Sequence, residues 1–287
     1  MRSFGNSFKK IREMRKMSQE EVSKGISSTS QVSNFENGKG DITLSKFFSM
    51  IKRMGITFEE YEHTLNNYEL DEFHKMMSKI RNFYNENNDH ALKELLLAED
   101  KKEEKENIYH ELNCLMIKNL ISELDGTHQL SRKEITTLSE YFMSTEEWTY
   151  HDLILYNNTM RAFPTKTVET LTNEAIARSV FYSEIPRNKG LIIEMLINAS
   201  IIFYDCNKLD RAIYFIKCIE RLLEEASIYE KTLYLFVTGA MEFSSGKEEV
   251  GKKKMEDAIG VFNTVGSYHL AKSYQENYEE IVGKCKK

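Results

Sequence analysis

The chain has 287 residues, 29% charged and 41% hydrophobic, with a formal net charge of −6. That is enough for one large or two ordinary domains with a real core. No apolar run approaches the ~18 residues of a membrane helix, and the opening "MRSFGNSFKK" lacks the apolar stretch of a secretory signal, so neither a membrane span nor secretion is expected.

Proline occurs only at positions 164 and 186, while Leu, Ile, Glu and Lys are abundant, so an all-α chain is expected. Charge is uneven. Residues 1–54 hold 11 Lys/Arg and 5 Asp/Glu, a net +6, and residues 55–287 hold 28 and 40, a net −12. A basic head on an acidic body points to a polyanionic partner for the head alone.

In chain order, Phe4, Phe8, Ile11 and Met14 predict one apolar face of a first helix. Ser18 and Glu21 stand at capping-box spacing for a second helix, which places Val22 inward and stops near Gly25. A third helix begins around Ser28, with Val32 and Phe35 as its only bulky apolar residues, and Asn37-Gly38 supplies its left-handed end. Leu44, Phe47, Phe48 and Ile51 mark a fourth helix, and a fifth runs near Phe58–Leu65.

Two short helices about a glycine turn, the second with an exposed polar face, make a helix-turn-helix. Ser, Thr, Gln and Asn on that face suit the reading of base edges in a major groove. Lys9, Lys10, Arg15, Lys16 and Lys39 are candidate phosphate contacts, which give affinity but not sequence choice. The stretch "SQEEVSKGISSTSQVSNFENGK" resembles the helix-turn-helix of lambdoid phage repressors, over roughly residues 4–66. The resemblance implies that Thr29, Ser30 and Asn34 face bases with Ser28 beside them, and that Gln19 donates to a phosphate. It also implies an internal ion pair between Arg12 and Glu36 that ties the first helix to the third.

Beyond the head, "IRNFYNENNDHALKEL" at 80–95 parallels "SIIFYDCNKLDRAIYFI" at 200–216. Phe83, Phe163, Phe203 and Phe243 fall on steps of 40 residues, and five residues before each lie Ser78, Asn158, Asn198 and Thr238, with Asn119 near the remaining step. The pattern predicts about five stacked helix pairs in a solenoid similar to tetratricopeptide repeats, although the W-x-x-L-G-x-x-Y signature is absent. Carboxamides on a groove wall offer both donor and acceptor to an extended peptide. Candidate peptide contacts are therefore Asn158, Asn198 and Thr238 with nearby Asn157 and Tyr204, and Arg81 and Arg161 for a peptide carboxylate. Leu155, Ile197 and Ile201 are candidate apolar pocket residues. The plain alternative is a solvated groove wall with no ligand. Val261, Phe262, Leu270 and Tyr274 offer a last apolar surface, to cap the repeats or to pair subunits.

The opening "FGNSFKKIREMRKMSQEEVSKGISSTSQVSNFENGKGDITLSKFFSMIKRMGIT" followed by helical repeats resembles the Rgg-type regulators, in the class of peptide-pheromone receptors with PlcR- and PrgX-like relatives. The resemblance implies a cytoplasmic homodimer that binds double-stranded promoter DNA and takes imported short linear peptides. The expected division is a helix-turn-helix domain at 1–66 and a repeat domain at 67–287, for peptide binding and dimerisation.

Enzyme motifs are missing: there is no G-x-x-x-x-G-K-[ST] and no G-x-S-x-G. His63, His74, His90, His110, His128, His151 and His269 are scattered, with no spacing for zinc, so no catalytic residue, metal or cofactor is expected. Cys114, Cys206, Cys218 and Cys285 form no C-x-x-C pair and read as reduced thiols, and Trp148 reads as core. A helical-repeat protein-interaction adaptor whose helix-turn-helix mainly docks partners or dimerises is the alternative function.

Overall fold

A computed structural model describes residues 4–101, 107–127, 129–180 and 184–284. His128 and Cys285, both named above, lie outside the described residues. Among the described residues there are helices and no strands, the all-α class expected from the sequence. The chain divides into two compact units, Met1–Glu86 and Asn87–Lys287.

The first unit holds α1 (Phe4–Met14), α2 (Gln19–Ser23), α3 (Thr29–Glu36), α4 (Leu44–Arg53), α5 (Phe58–Leu65) and α6 (Glu72–Asn85). Phe8, Ile11, Val22, Val32, Phe35, Phe47, Met50, Ile51 and Tyr61 form its core, with Phe47 and Tyr61 meeting edge to face at 4.7 Å. The apolar face of α1 departs from expectation. Phe8 and Ile11 are buried, but Phe4 and Met14 are 60% and 64% exposed. The reason is Gly5: a Cβ there would sit 1.8 Å from the Phe35 carbonyl oxygen. Only a residue without a side chain lets α1 approach α3 so closely, and that contact rotates the buried face toward Gly5, Phe8 and Arg12. On α4, Phe47, Met50 and Ile51 turn inward, and Leu44 and Phe48 stay exposed.

The second unit runs through α7 (Asp89–Asp100), α8 (Ile108–Asp125), α9 (Arg132–Ser144), α10 (Tyr150–Thr159) and a 3-10 turn (Met160–Ala162) to α11 (Thr165–Arg178). It continues as α12 (Pro186–Asp205), α13 (Leu209–Glu220), α14 (Ile228–Ser244), α15 (Glu248–Thr264) and α16 (Tyr268–Lys284). Both prolines start helices: Pro164 precedes α11, and Pro186 is the first residue of α12, where a missing N–H costs nothing. Helices α8, α10, α12 and α14 pack in sequence, each against the next, so the step of about 40 residues is a step from one inner helix to its neighbour. Leu153, Leu155 and Tyr156 of α10 are fully buried, as are Phe142 of α9 and Trp148 just before α10.

Two glycines decide how α14 meets α15. A Cβ on Gly251 would lie 2.4 Å from the Phe243 nitrogen and 2.5 Å from the Gly239 carbonyl oxygen, so the two backbones touch. At the end of the chain, Tyr274 of α16 packs on Phe236 at 4.7 Å and stacks on Phe262 at 5.4 Å. Phe262 and Tyr274 are thus spent on capping the repeats. Among the described residues, Cys206 and Cys218 are free thiols, and no helix is long and apolar enough to cross a membrane.

Candidate functional site

In the first unit the local signals sit where the sequence placed them. Ser18 caps α2 and the capping box is complete: the Glu21 amide donates to Ser18 Oγ at 3.1 Å, and the Ser18 amide donates to Glu21 Oε2 at 2.7 Å. These bonds hold the Glu21 carboxyl below the ordinary range. Gly25 (φ 73°) makes the turn, Ser28 caps α3 by accepting from the Gln31 amide at 3.2 Å, and Gly38 (φ 67°) ends it.

Helix α3 shows solvent a row of short polar groups. Ser28, Thr29, Ser30, Asn34 and the following Lys39 are all exposed. Ser30 and Asn34 are one turn apart and share a face. The opposite face is locked. Glu36, fully buried, accepts from Arg12 Nε at 2.6 Å and Arg12 Nη2 at 2.9 Å, the pair implied by the repressor resemblance. Hydrogen bonding to this carboxylate raises the Arg12 guanidinium above its ordinary value. Gln19 Nε2 donates to the same carboxylate at 2.7 Å, so one of its two donors is spent inside the unit rather than on an outside phosphate. Arg15 is exposed and reaches the Gly55 carbonyl at 3.4 Å, while Lys10 lies 4.2 Å from the centre of the Tyr68 ring.

In the second unit the polar column becomes a set of cross-links between inner helices. Asn119 of α8 donates to the Asn158 carbonyl on α10 at 2.8 Å. Asn157 Nδ2 donates to the Leu191 carbonyl on α12 at 3.1 Å, and Asn198 Nδ2 donates to Asn157 Oδ1 at 3.2 Å. Tyr204 of α12 is hydrogen-bonded to Ser244 of α14. Asn158 Nδ2 and Thr238 Oγ1 turn back to carbonyls of their own helices, those of Ile154 at 2.8 Å and Tyr234 at 2.8 Å. Asn157, Asn158, Asn198, Tyr204 and Thr238 are nevertheless all partly open to solvent. Arg161 is exposed and faces Asp205 at 3.8 Å. Arg81 is exposed on α6 in the first unit. Two expected pocket residues are corrected: Leu155 and Ile197 are buried in the helical array, and only Ile201 and Tyr204 remain part exposed.

Residues 93–276 match the family described as the HTH-type transcriptional regulator Rgg, C-terminal domain. The chain belongs to the Rgg family. A helix-turn-helix family matches residues 8–61 of this Rgg chain. The crystal structure of the Streptococcus dysgalactiae SHP pheromone receptor Rgg2 is 29% identical, covers 96% of this chain and 99% of its own, and superposes with a TM-score of 0.81. A bacterial peptide pheromone/receptor complex (18% identity, TM-score 0.72, 98% and 99% covered) and the PrgX/iCF10 complex (17%, 0.73, 100% and 98%) share the fold.

Some polar contacts of the Rgg chain had no signal in the sequence. Gln31 Oε1 accepts from Ser27 Oγ at 2.6 Å and from Lys46 Nζ at 2.8 Å, which fixes α3 to α4. A further bond between inner helices joins His151 Nε2 and Asn113 Oδ1 at 2.9 Å, and burial lowers the imidazole's pKa below its ordinary value. The Lys46–Gln31 and His151–Asn113 bonds join residues far apart in the chain with no motif at either end. Among the described residues no cluster of His, Cys, Asp and Glu could hold a metal ion.

Proposed function

We propose that this Rgg regulator is cytoplasmic, binds promoter DNA as a homodimer, and answers to a short linear peptide held by its repeats. It acts by binding rather than by catalysis. In this reading residues 1–66 bind DNA and residues 67–287 bind the peptide; α6, expected among the repeats, belongs to the first compact unit. The carrying observation is α3, whose exposed hydroxyls and amide stand on a helix immobilised from behind by Arg12, Glu36 and Gln19. A surface held that rigidly suits base readout, because positioning is settled before binding. The peptide half draws support from Rgg2, a pheromone receptor across nearly the whole chain length.

Pairing of subunits was expected of the repeat domain; since Phe262 and Tyr274 cap the repeats, we propose instead an exposed apolar face of the first unit. Leu44, Phe48 and Phe58 are 66%, 43% and 48% exposed, and the Phe48 and Phe58 rings lie 5.6 Å apart. Two-fold pairing on such a face would present two α3 helices to the half-sites of a near-palindrome. Asn34→Ala is expected to relax base preference at one position, at about 1–3 kcal/mol. Gel shifts on a duplex selected by the wild type, with sedimentation of the free protein as a dimer, test this. Unchanged binding by Asn34→Ala would place base readout elsewhere, and failure to select any duplex would favour an adaptor.

For the peptide, the amides that link inner helices are the proposed anchors, each retaining one donor or acceptor beyond its internal bond. Asn157→Ala with Asn198→Ala should weaken peptide binding by roughly 1–3 kcal/mol through unpaired peptide groups. Calorimetry with short peptides encoded beside the gene measures it. Full affinity in the double variant, with circular dichroism intact, would show the amides to be structural links only.

A further inference from the structure

Helix α2 has only five residues, Gln19–Ser23, so its final carbonyls cannot all find partners one turn later. The backbone and a hydroxyl satisfy some of them. The Glu20 carbonyl accepts from the Lys24 amide at 2.9 Å and from Ser23 Oγ at 3.3 Å, and the Ser23 carbonyl accepts from the Ile26 and Ser27 amides at 2.8 and 2.9 Å. The carbonyls of Glu21, Val22 and Lys24 are met instead by one side chain. Arg53 Nη1 lies 3.3, 3.1 and 2.5 Å from them. Arg53 is the last residue of α4, about thirty positions down the chain.

We propose that Arg53 is a positioning residue for DNA recognition, which clamps the end of α2 and thereby sets the turn that aims α3. The segment it holds is short and consequential. Lys24 is the C-cap of α2, Gly25 makes the left-handed turn, and Ser28 is already the cap of α3. All three carbonyls lie around the single nitrogen Nη1, whose two hydrogens they share. Helix α4 grips the second half of the motif as well, through the bond from Lys46 Nζ to Gln31. Both helices of the motif are thus referred to one frame, with Arg53 at the end of α2 and Lys46 on α3. Removing Arg53 frees the turn and lets Ser30 and Asn34 miss their base edges. On this proposal Arg53 makes no phosphate contact, because its Nη1 is engaged by protein carbonyls. A cation on this basic unit would ordinarily be assigned to a phosphate, and the two roles differ in salt dependence.

The inference rests on the reading of α3 as the base-reading helix. The test uses full-length protein, a duplex selected from a random pool by the wild type, and a scrambled duplex of equal composition. Arg53→Met should weaken the selected duplex about tenfold, with little change on the scrambled one and an unchanged slope of log affinity against log salt. Amide exchange should accelerate at residues 22–28 and stay as in the wild type elsewhere in α1–α5. Equal weakening on both duplexes, with the slope shallower by about one, would make Arg53 a phosphate contact and overturn the proposal. Equal binding by variant and wild type on the selected duplex would also overturn it. Lost protection throughout α1–α5 would do the same, making Arg53 a residue that holds the whole fold. A wild type that selects no duplex would sink the reading of α3 itself, and this inference with it.

Discussion

Replacing Glu36 with alanine is expected to destabilise the first unit by about 3 kcal/mol or more, toward the loss seen when one partner of a buried ion pair is removed. The Glu36 side chain is fully buried and that of Arg12 is only 9% exposed. After the substitution the guanidinium keeps the Met17 carbonyl, 2.7 Å from Nη1, but loses both bonds to carboxylate, and Gln19 loses its acceptor too. A charge left in that position costs more than the pair contributes. For a unit of this size each kcal/mol moves the melting temperature by roughly 4–8 °C, so the drop should be plain in a calorimetric scan of the full chain. DNA binding should fail with it, because α3 loses its tie to α1 and α2. Replacing Arg12 and Glu36 together by methionine should recover much of the stability, since two apolar groups leave no unpaired charge. A loss below about 1 kcal/mol for Glu36→Ala would mean that water reaches Arg12 readily.

The second large effect is expected at Trp148. Its indole is fully buried, stacked on Phe142 at 4.9 Å and set edge-on to Tyr156 at 5.3 Å. Trp148→Ala should cost about 3–5 kcal/mol, through lost burial plus the cavity left among rigid rings. Tyr156 cannot easily collapse into that space, because its hydroxyl is tied to the Val168 carbonyl at 3.0 Å and to Thr172 at 2.9 Å. Trp148 Nε1 makes no hydrogen bond, so Trp148→Phe should keep most of the stability. Urea unfolding followed by circular dichroism gives both values, the sole tryptophan being lost in the variants. The effect should reach function, because α10 carries Asn157 and Asn158 on the same ten-residue helix as Tyr156. Equal stability of Trp148→Ala and wild type would mean that the site is not a packed core.

The features legible in the sequence were local ones. Ser18 with Glu21, Ser28, Gly25 and Gly38 settle the ends of α2 and α3 because capping and left-handed turns depend on a few adjacent residues. The fifth helix spans Phe58–Leu65, the expected residues, since Thr57 and Glu60 form another capping box there. The step of 40 was also legible, because a repeat places one small polar group on each inner helix: Asn119, Asn158, Asn198 and Thr238. The tertiary structure alone decided which atoms those groups meet. Asn157 and Asn198, expected on the groove wall, also bond to each other, because inner helices pack within reach of one another's side chains. Leu155 and Ile197 were read as pocket residues, but a helix enclosed on most sides buries nearly every apolar position, and periodicity cannot tell the enclosed sides from the open one. Gly5, Gly239 and Gly251 carried no hydrophobic signal at all, though close backbone approach at those positions fixes the buried face of α1 and the meeting of α14 with α15. Such contacts join residues distant in the chain through shape, and shape exists only once the helices are packed.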